Sequence, residues 1–440
     1  MFKEGNDVGT SQSPIHEPTA GAIVAAVGLA LAGVLATRWP VLRPSAFDFD
    51  EVGYLQTIGT FRFPMHHTLF LASARAIGDA VGDRYRGFLL LDRLVSARAL
   101  AAAGWWLRAL GRPATAAATT LALGAAPVFW SYGAMAGNYT AIPLVGSLLL
   151  GLAYRGGSDP KPWHPYAAAV VLALGTGYRQ DIGVLWLPVF LVILWQHRWI
   201  ASAQAVLLFT ALNLAWLAAM LQDVGGWEEY RRASARFAEE AGRKNSVWHL
   251  GVVDASLRYA LKGSMALAWT LGPGLALVPR GGWRIGRTAG GGRLGRLLTL
   301  SVVPALASHL LIHFGVPGYA FHYVPALLAL LAIGIGRLPH AGDSDAAPGR
   351  LVALATVLAG VFLLYPADFG RGPRRDFDLA IGRYSRVGLR TKTPRSDPRS
   401  WRTISSQELP GGRRASEARS LSGVVEATRR RLRLPLPPWR

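Results

Sequence analysis

The sequence predicts an all-α membrane protein, a polytopic bundle of about 11 transmembrane helices. Of its 440 residues 51% are hydrophobic, the mean hydropathy is positive, and the apolar residues come in long blocks. Blocks of about 20 apolar residues are long enough to cross a bilayer, and a soluble domain cannot hide several of them. Only helix bundles and closed barrels span membranes, and these blocks lack the two-residue alternation of barrel strands.

The first apolar block runs from Ala20 to Trp39, with no charge before Arg38. It is longer than the apolar region of a signal peptide, so we expect a retained helix. The segment 68–81 is too short to span, and we place it along the membrane surface next to the bundle. The predicted spans are 20–38, 87–107, 113–131, 138–154, 165–178, 182–197, 201–221, 255–279, 297–314, 322–338 and 350–367.

These spans divide the chain into an N-terminal tail (1–19), a transmembrane domain (20–367) and a basic, arginine- and proline-rich C-terminal tail (368–440). The net charge is +21, and the C-terminal tail alone carries 17 Arg and one Lys against 7 acidic residues. A basic tail beside a membrane meets anionic lipid or stays solvated, and it carries no nucleic-acid-binding motif. The chain has no cysteine, which excludes disulfides, thiolate metal sites and cysteine nucleophiles.

Orientation follows from the basic residues of the short loops. The loop 280–296 carries five arginines and no acidic residue, and 108–112, 155–161 and 337–350 each carry two lysine or arginine residues. We predict that these loops are cytoplasmic, which places the turn around Arg179 on the outer side. The arginines beside the first and last spans favour the reverse orientation, and the short, wholly basic loop outweighs them.

An acidic cluster, Asp48, Asp50 and Glu51, follows the first span. Three carboxylates within four positions repel one another, so the cluster is costly unless it meets a cation, a metal or a proton to be moved. His66 and His67 follow before the short helix of 68–81. The alternative to a reactive site is a solvated acidic loop.

The acidic pair Asp50-Glu51, then Tyr54, then His67-Thr68-Leu69 resembles the GT-C membrane glycosyltransferases, where the last element often reads His-Pro-Pro-Leu. This superfamily includes protein O-mannosyltransferases, lipid A aminoarabinose transferases and RgtA-D-like transferases. The resemblance covers residues 20–367 in order and spacing. Further motifs that carry it are Arg93, Gly111-Arg112, Pro127-Val-Phe-Trp130-Ser131, Gly-Tyr178-Arg179-Gln180-Asp181, Asn213-Leu-Ala-Trp216 and Gly318-Tyr319-Ala-Phe-His322-Tyr323-Val-Pro325.

The resemblance implies a GT-C-like glycosyltransferase that moves a hexose or pentose, with inversion, from a polyprenyl-phosphate donor. The acceptor is a glycan, lipid or protein at the extracytoplasmic face of the cell membrane. Following the family position, Asp50 is the expected base, with Glu51 or Asp48 orienting the acceptor or binding a divalent metal. The expected substrate- and phosphate-binding residues are Arg179, Asp181, His67, His322 and Tyr323.

Other readings stay open from the sequence. Arg179 and Asp181 are also compatible with a structural ion pair at a helix end, because intramembrane charges often pair internally. His309 and His313 have a zinc-compatible spacing but no third ligand at a fixed distance. For the whole chain the alternatives are a transporter or flippase of an anionic lipid or metabolite and an inactive scaffold of the same fold.

Overall fold

The computed structural model describes residues 67–110, 113–133, 137–245, 247, 251–287, 291–312 and 317–335. All of them belong to the first of two compact units of the chain, Met1–Ile381, and the second unit is Gly382–Arg440. The predicted spans 20–38 and 350–367 lie outside the described residues, as do both tails.

The described chain is helical and contains no β-strand, which confirms the predicted all-α class. Two 3-10 helices, Gly272–Leu277 and Pro317–His322, interrupt the α-helices. The α-helices are α1 (Thr68–Val81), α2 (Arg84–Leu110), α3 (Pro113–Ala125), α4 (Pro127–Tyr132), α5 (Ala141–Gly156), α6 (His164–Tyr178), α7 (Gln180–Trp195), α8 (Trp199–Val224), α9 (Trp227–Asn245), α10 (Val252–Leu271), α11 (Val278–Gly286), α12 (Gly291–Leu311) and α13 (Val324–Ile335).

Two predicted spans are subdivided in the structure. The span 113–131 breaks at Ala126, because Pro127 has no backbone N–H and disfavours a helical conformation in the residue before it. The span 255–279 ends at Leu271, where Gly272 adopts a positive φ of 52° and a 3-10 helix follows. Both breaks therefore occur at a residue type that favours ending a helix.

The outer surface of the bundle is apolar. Among the described residues, the helices Trp199–Gln222 and Gly291–Leu311 are long and apolar enough to cross a membrane, and shorter apolar helices accompany them. Leu207 on α8 is 69% exposed and Val184 on α7 is 71% exposed. Such surfaces are stable in contact with lipid, so the chain is a membrane protein. The number of crossings stays a prediction.

Two opposite ends of the bundle differ in charge. We call one of them the basic end. There the Arg293 guanidinium donates to the backbone carbonyl of Tyr154 at 2.6 Å, and the Arg284 guanidinium donates to the backbone carbonyl of Ile333 at 2.8 Å. These contacts join the ends of α5 and α13 to the arginine-rich segment 280–296. The opposite end holds the break between α6 and α7, and we call it the Arg179 end.

Candidate functional site

Arg179 is the single residue that separates α6 from α7. Its backbone is extended, with φ −152° and ψ 121°, so it ends one helix and begins the next. Asp181 lies in the first turn of α7, where a negative charge is favoured by the helix dipole, and it accepts a hydrogen bond from the Ile182 N–H at 3.1 Å. The gap between the predicted spans 165–178 and 182–197 therefore narrows to one residue, Arg179, whose side chain is buried in the bundle.

The Arg179 guanidinium is buried and tightly bound. It donates from Nε to Asp181 Oδ1 at 3.0 Å, from Nη2 to Asp181 Oδ2 at 2.9 Å and from Nη1 to Asn138 Oδ1 at 2.6 Å. Its central carbon lies 4.1 Å from the ring centroid of Tyr139 and 5.4 Å from that of Tyr319, within cation–π range. Three of its five N–H groups thus donate to protein oxygens, and its charge is held in one place.

His322 is the last residue of the second 3-10 helix, and Tyr323 follows it into the same region. His322 is fully buried, and its Nε2 lies 3.4 Å from Asp181 Oδ2. Tyr323 makes a different contact, because its hydroxyl lies 2.7 Å from Nδ1 of His309. The ring of His309 also packs edge-on against Tyr319 and lies 5.6 Å from the ring of His322. The structure therefore places His322 beside the Arg179–Asp181 pair, whereas Tyr323 contacts His309.

A buried carboxylate shapes the loop that carries Asn138 and Tyr139. Asp92, on α2, accepts a hydrogen bond from the Thr140 hydroxyl at 2.6 Å and another from the Gly137 N–H at 3.0 Å. Asp92 and Thr140 are almost fully buried. Charge-assisted hydrogen bonds of this kind hold a backbone firmly, so Asp92 fixes the loop against Arg179.

The first helix leads directly into this region. His67 precedes α1 and is half-buried. Two residues further on, the Leu69 side chain occupies the space that a side chain at Gly177 would need, at 2.3 Å from an added Cβ. Phe70 and Tyr178 have ring centroids 6.1 Å apart. His67 therefore lies at the Arg179 end, beside the last turn of α6.

The expected catalytic residues Asp48, Asp50 and Glu51 lie outside the described residues, as does His313. Within the described ranges, no group of three histidine, aspartate or glutamate side chains is placed to hold a metal ion. The candidate site as described therefore consists of Arg179 with its partners and the start of α1.

Sequence reasoning did not single out Asn138, Tyr139 or His309 as neighbours of Arg179, or Asp92 as the support of their loop. A polar loop after an apolar span was the available signal for Asn138 and Tyr139. A charge in the middle of a span, as at Asp92, is a functional-site signal by itself, but it does not reveal the partner.

Among solved structures, the chain is similar to ArnT from Cupriavidus metallidurans in the apo state. The identity is 16%, the TM-score is 0.49, and the match covers 84% of this chain and 70% of that chain. No protein-family model and no curated protein matches the chain.

Proposed function

We propose that the protein is a GT-C-type glycosyltransferase that moves a sugar from a polyprenyl-phosphate donor to a glycan, lipid or protein acceptor. The observation that carries the proposal is the meeting of Arg179, Asp181, His322 and Asn138 at one end of an apolar bundle. Charged groups inside a membrane protein are costly and usually mark a substrate or ion path. A lipid-linked phosphate is a substrate whose negative charge needs such a buried cation.

The reaction needs a base for the acceptor hydroxyl and a cation for the departing phosphate. Arg179 suits the second role because a guanidinium matches phosphate oxygens in geometry and stays charged when buried. Two of its N–H groups have no protein acceptor among the described residues. Asp181, Asn138 and the two tyrosine rings keep the guanidinium in place, so little reorganisation is needed when the phosphate binds.

The acidic cluster supplies the other role in the proposal. The chain enters the described structure at His67, only 16 residues after Glu51, and it does so at the Arg179 end. We assign Asp50 as the base, with Glu51 or Asp48 orienting the acceptor or binding a divalent metal. His67 and Tyr323 complete the proposed substrate site, the latter through its bond to His309.

The side of the membrane follows from the separation of the two ends. Arginine-rich short loops favour the cytoplasm, and Arg284 and Arg293 hold those loops at the basic end. The Arg179 end then faces the outside, in a protein that crosses the membrane many times.

The test uses purified full-length protein in nanodiscs with a panel of synthetic polyprenyl-phosphate hexoses and pentoses, and a membrane extract of the source cells as acceptor. Mass spectrometry measures the release of free polyprenyl phosphate. We expect Asp50→Asn and Asp50→Ala to lower the rate by about 10²-fold or more, the usual effect of losing a general base. Asp159→Asn, an exposed carboxylate at the basic end, serves as the control with an unchanged rate.

Full activity of both Asp50 variants would refute the assignment of the base. No release of polyprenyl phosphate from any donor, with uptake of the intact lipid into the opposite leaflet, would instead identify a flippase. Neither release nor uptake by a correctly folded protein would favour the inactive scaffold.

A further inference from the structure

The basic end carries two arginines that lack an acidic partner within the described part of the chain. Arg108 lies in the last turn of α2 and Arg155 in the last turn of α5, and both are half-buried. Among the described residues neither forms a salt bridge, whereas the nearby Asp159 pairs with Lys161 at 3.0 Å. The charge of Arg108 acts on Arg155 and repels it. Two partly buried charges of the same sign therefore repel each other, and no described acidic residue forms a salt bridge with either of them.

Arg155 also has a donor without an acceptor. Its guanidinium carbon lies 4.7 Å from the ring centroid of Trp105, so the group is stacked and held in position. Its Nε is buried and has no hydrogen-bond partner in the described part of the chain. Because a buried charged donor without an acceptor is costly, this atom indicates that an anionic oxygen belongs there.

Exposed tryptophans indicate the level of Arg108 and Arg155 relative to the membrane. Four tryptophans at the basic end are exposed: Trp163, Trp195 and Trp199 at helix ends, and Trp283 within α11. Exposed tryptophans collect where the lipid headgroups meet the acyl chains. A basic pocket between helices at that level suits the phosphate of an anionic phospholipid.

We propose that Arg108 and Arg155 bind the phosphate group of an anionic phospholipid between the ends of α2 and α5. Trp105 fixes the plane of the Arg155 guanidinium, and the buried Nε supplies a hydrogen bond to a phosphate oxygen. The neighbouring Arg293 is engaged with the carbonyls of Ala153 and Tyr154, so it shapes the pocket and does not bind the lipid. The proposal is independent of the transfer reaction at the Arg179 end.

The chain offers a matched control. Arg287 also stacks on a tryptophan, with its guanidinium carbon 4.1 Å from the Trp283 ring, and it lies at the same end. It differs in being exposed, with no buried donor without an acceptor. Arg287→Gln thus removes the same charge and the same kind of stacking as Arg155→Gln, without touching the pocket.

Native mass spectrometry of the full chain, taken from nanodiscs of phosphatidylcholine with a minor fraction of phosphatidylglycerol, measures the retained lipid. We expect Arg155→Gln to bind phosphatidylglycerol about tenfold more weakly, since charged hydrogen bonds are lost. Arg287→Gln should bind it like the unaltered protein. Equal loss in both variants would overturn the proposal, because it would show a diffuse attraction to anionic lipid.

A second measurement does not depend on any variant. Hydrogen–deuterium exchange of the unaltered protein follows the segment 152–158 in phosphatidylcholine nanodiscs, with phosphatidylglycerol or with millimolar inorganic phosphate added. Slower exchange with phosphatidylglycerol alone supports the lipid. Slower exchange with inorganic phosphate alone assigns the pocket to a free anion, and no change with either overturns the proposal.

Discussion

Removal of the Asp181 carboxylate should destabilise the protein more than the loss of any surface charge. Arg179 is only 5% exposed at its side chain and donates two of its three hydrogen bonds to Asp181. In Asp181→Ala the guanidinium stays buried and keeps Asn138 as its one acceptor. Breaking a buried ion pair from one side costs about 3–5 kcal/mol. We expect a loss of that size in the free energy of unfolding.

The assay is equilibrium unfolding in detergent micelles, followed by the loss of helical circular dichroism. Asp159→Ala is the control, because the Asp159–Lys161 pair is exposed on both sides and such pairs contribute about 0–1 kcal/mol. Asp181→Asn keeps the shape of the side chain and one acceptor oxygen, so its effect should fall between the two. If Asp181→Ala is no more destabilising than Asp159→Ala, the guanidinium is not confined as described, and the reasoning fails.

Three further predictions concern packing, topology and the Asn138 loop. Gly281→Ala should destabilise the protein by about 1–3 kcal/mol, because the added Cβ would lie 2.0 Å from a carbonyl oxygen of α13. Gly282→Ala is the control, since its Cβ would meet open space. Equal effects of the two variants in thermal unfolding would contradict this packing. An impermeant maleimide added to intact cells should label Glu228→Cys but not Asp159→Cys, and equal labelling would refute the assigned orientation. Thr140→Val should lower the free energy of unfolding by about 1–3 kcal/mol in the same assay, because the buried Asp92 carboxylate loses a hydrogen-bond donor. Thr140→Ser keeps the hydroxyl and should unfold like the unaltered protein. A Val variant with unchanged stability would contradict the role of Thr140 in holding the loop.

The helices were predictable because their signal is local. Long apolar blocks indicated most of the described helices. The predicted spans 113–131 and 255–279 nevertheless ran through Pro127 and Gly272, where the structure ends a helix for reasons that depend on a single residue. The sequence also marked Arg179 and Asp181, since a charged pair within apolar blocks is unusual. What it did not provide is the partner of each charge across the bundle.

Tyr323 illustrates the limit. The sequence grouped it with His322 because the two are adjacent. His322 ends a 3-10 helix, however, and with three residues per turn neighbouring side chains point in directions about 120° apart. His322 accordingly faces Asp181, and Tyr323 faces His309. The link between Asp92 and Thr140 spans 48 positions, and its geometry follows from how α2 packs on α5. Such contacts are fixed by tertiary packing and leave no local pattern in the sequence.

The Arg179–Asp181 pair fits both a structural and a functional role, and a double variant separates them. A buried ion pair replaced on both sides by apolar residues often leaves stability unchanged or improves it. Arg179→Met/Asp181→Leu should therefore be far more stable than Asp181→Ala in the unfolding assay. The Asp181 side chain is 27% exposed, and an ion pair that serves packing alone does not need such exposure. Two N–H groups of Arg179 also remain for a phosphate. We accordingly expect the double variant to fold and to lose sugar transfer, because no cation then compensates the departing phosphate. A double variant that is both stable and fully active would make the pair structural and move the phosphate site elsewhere.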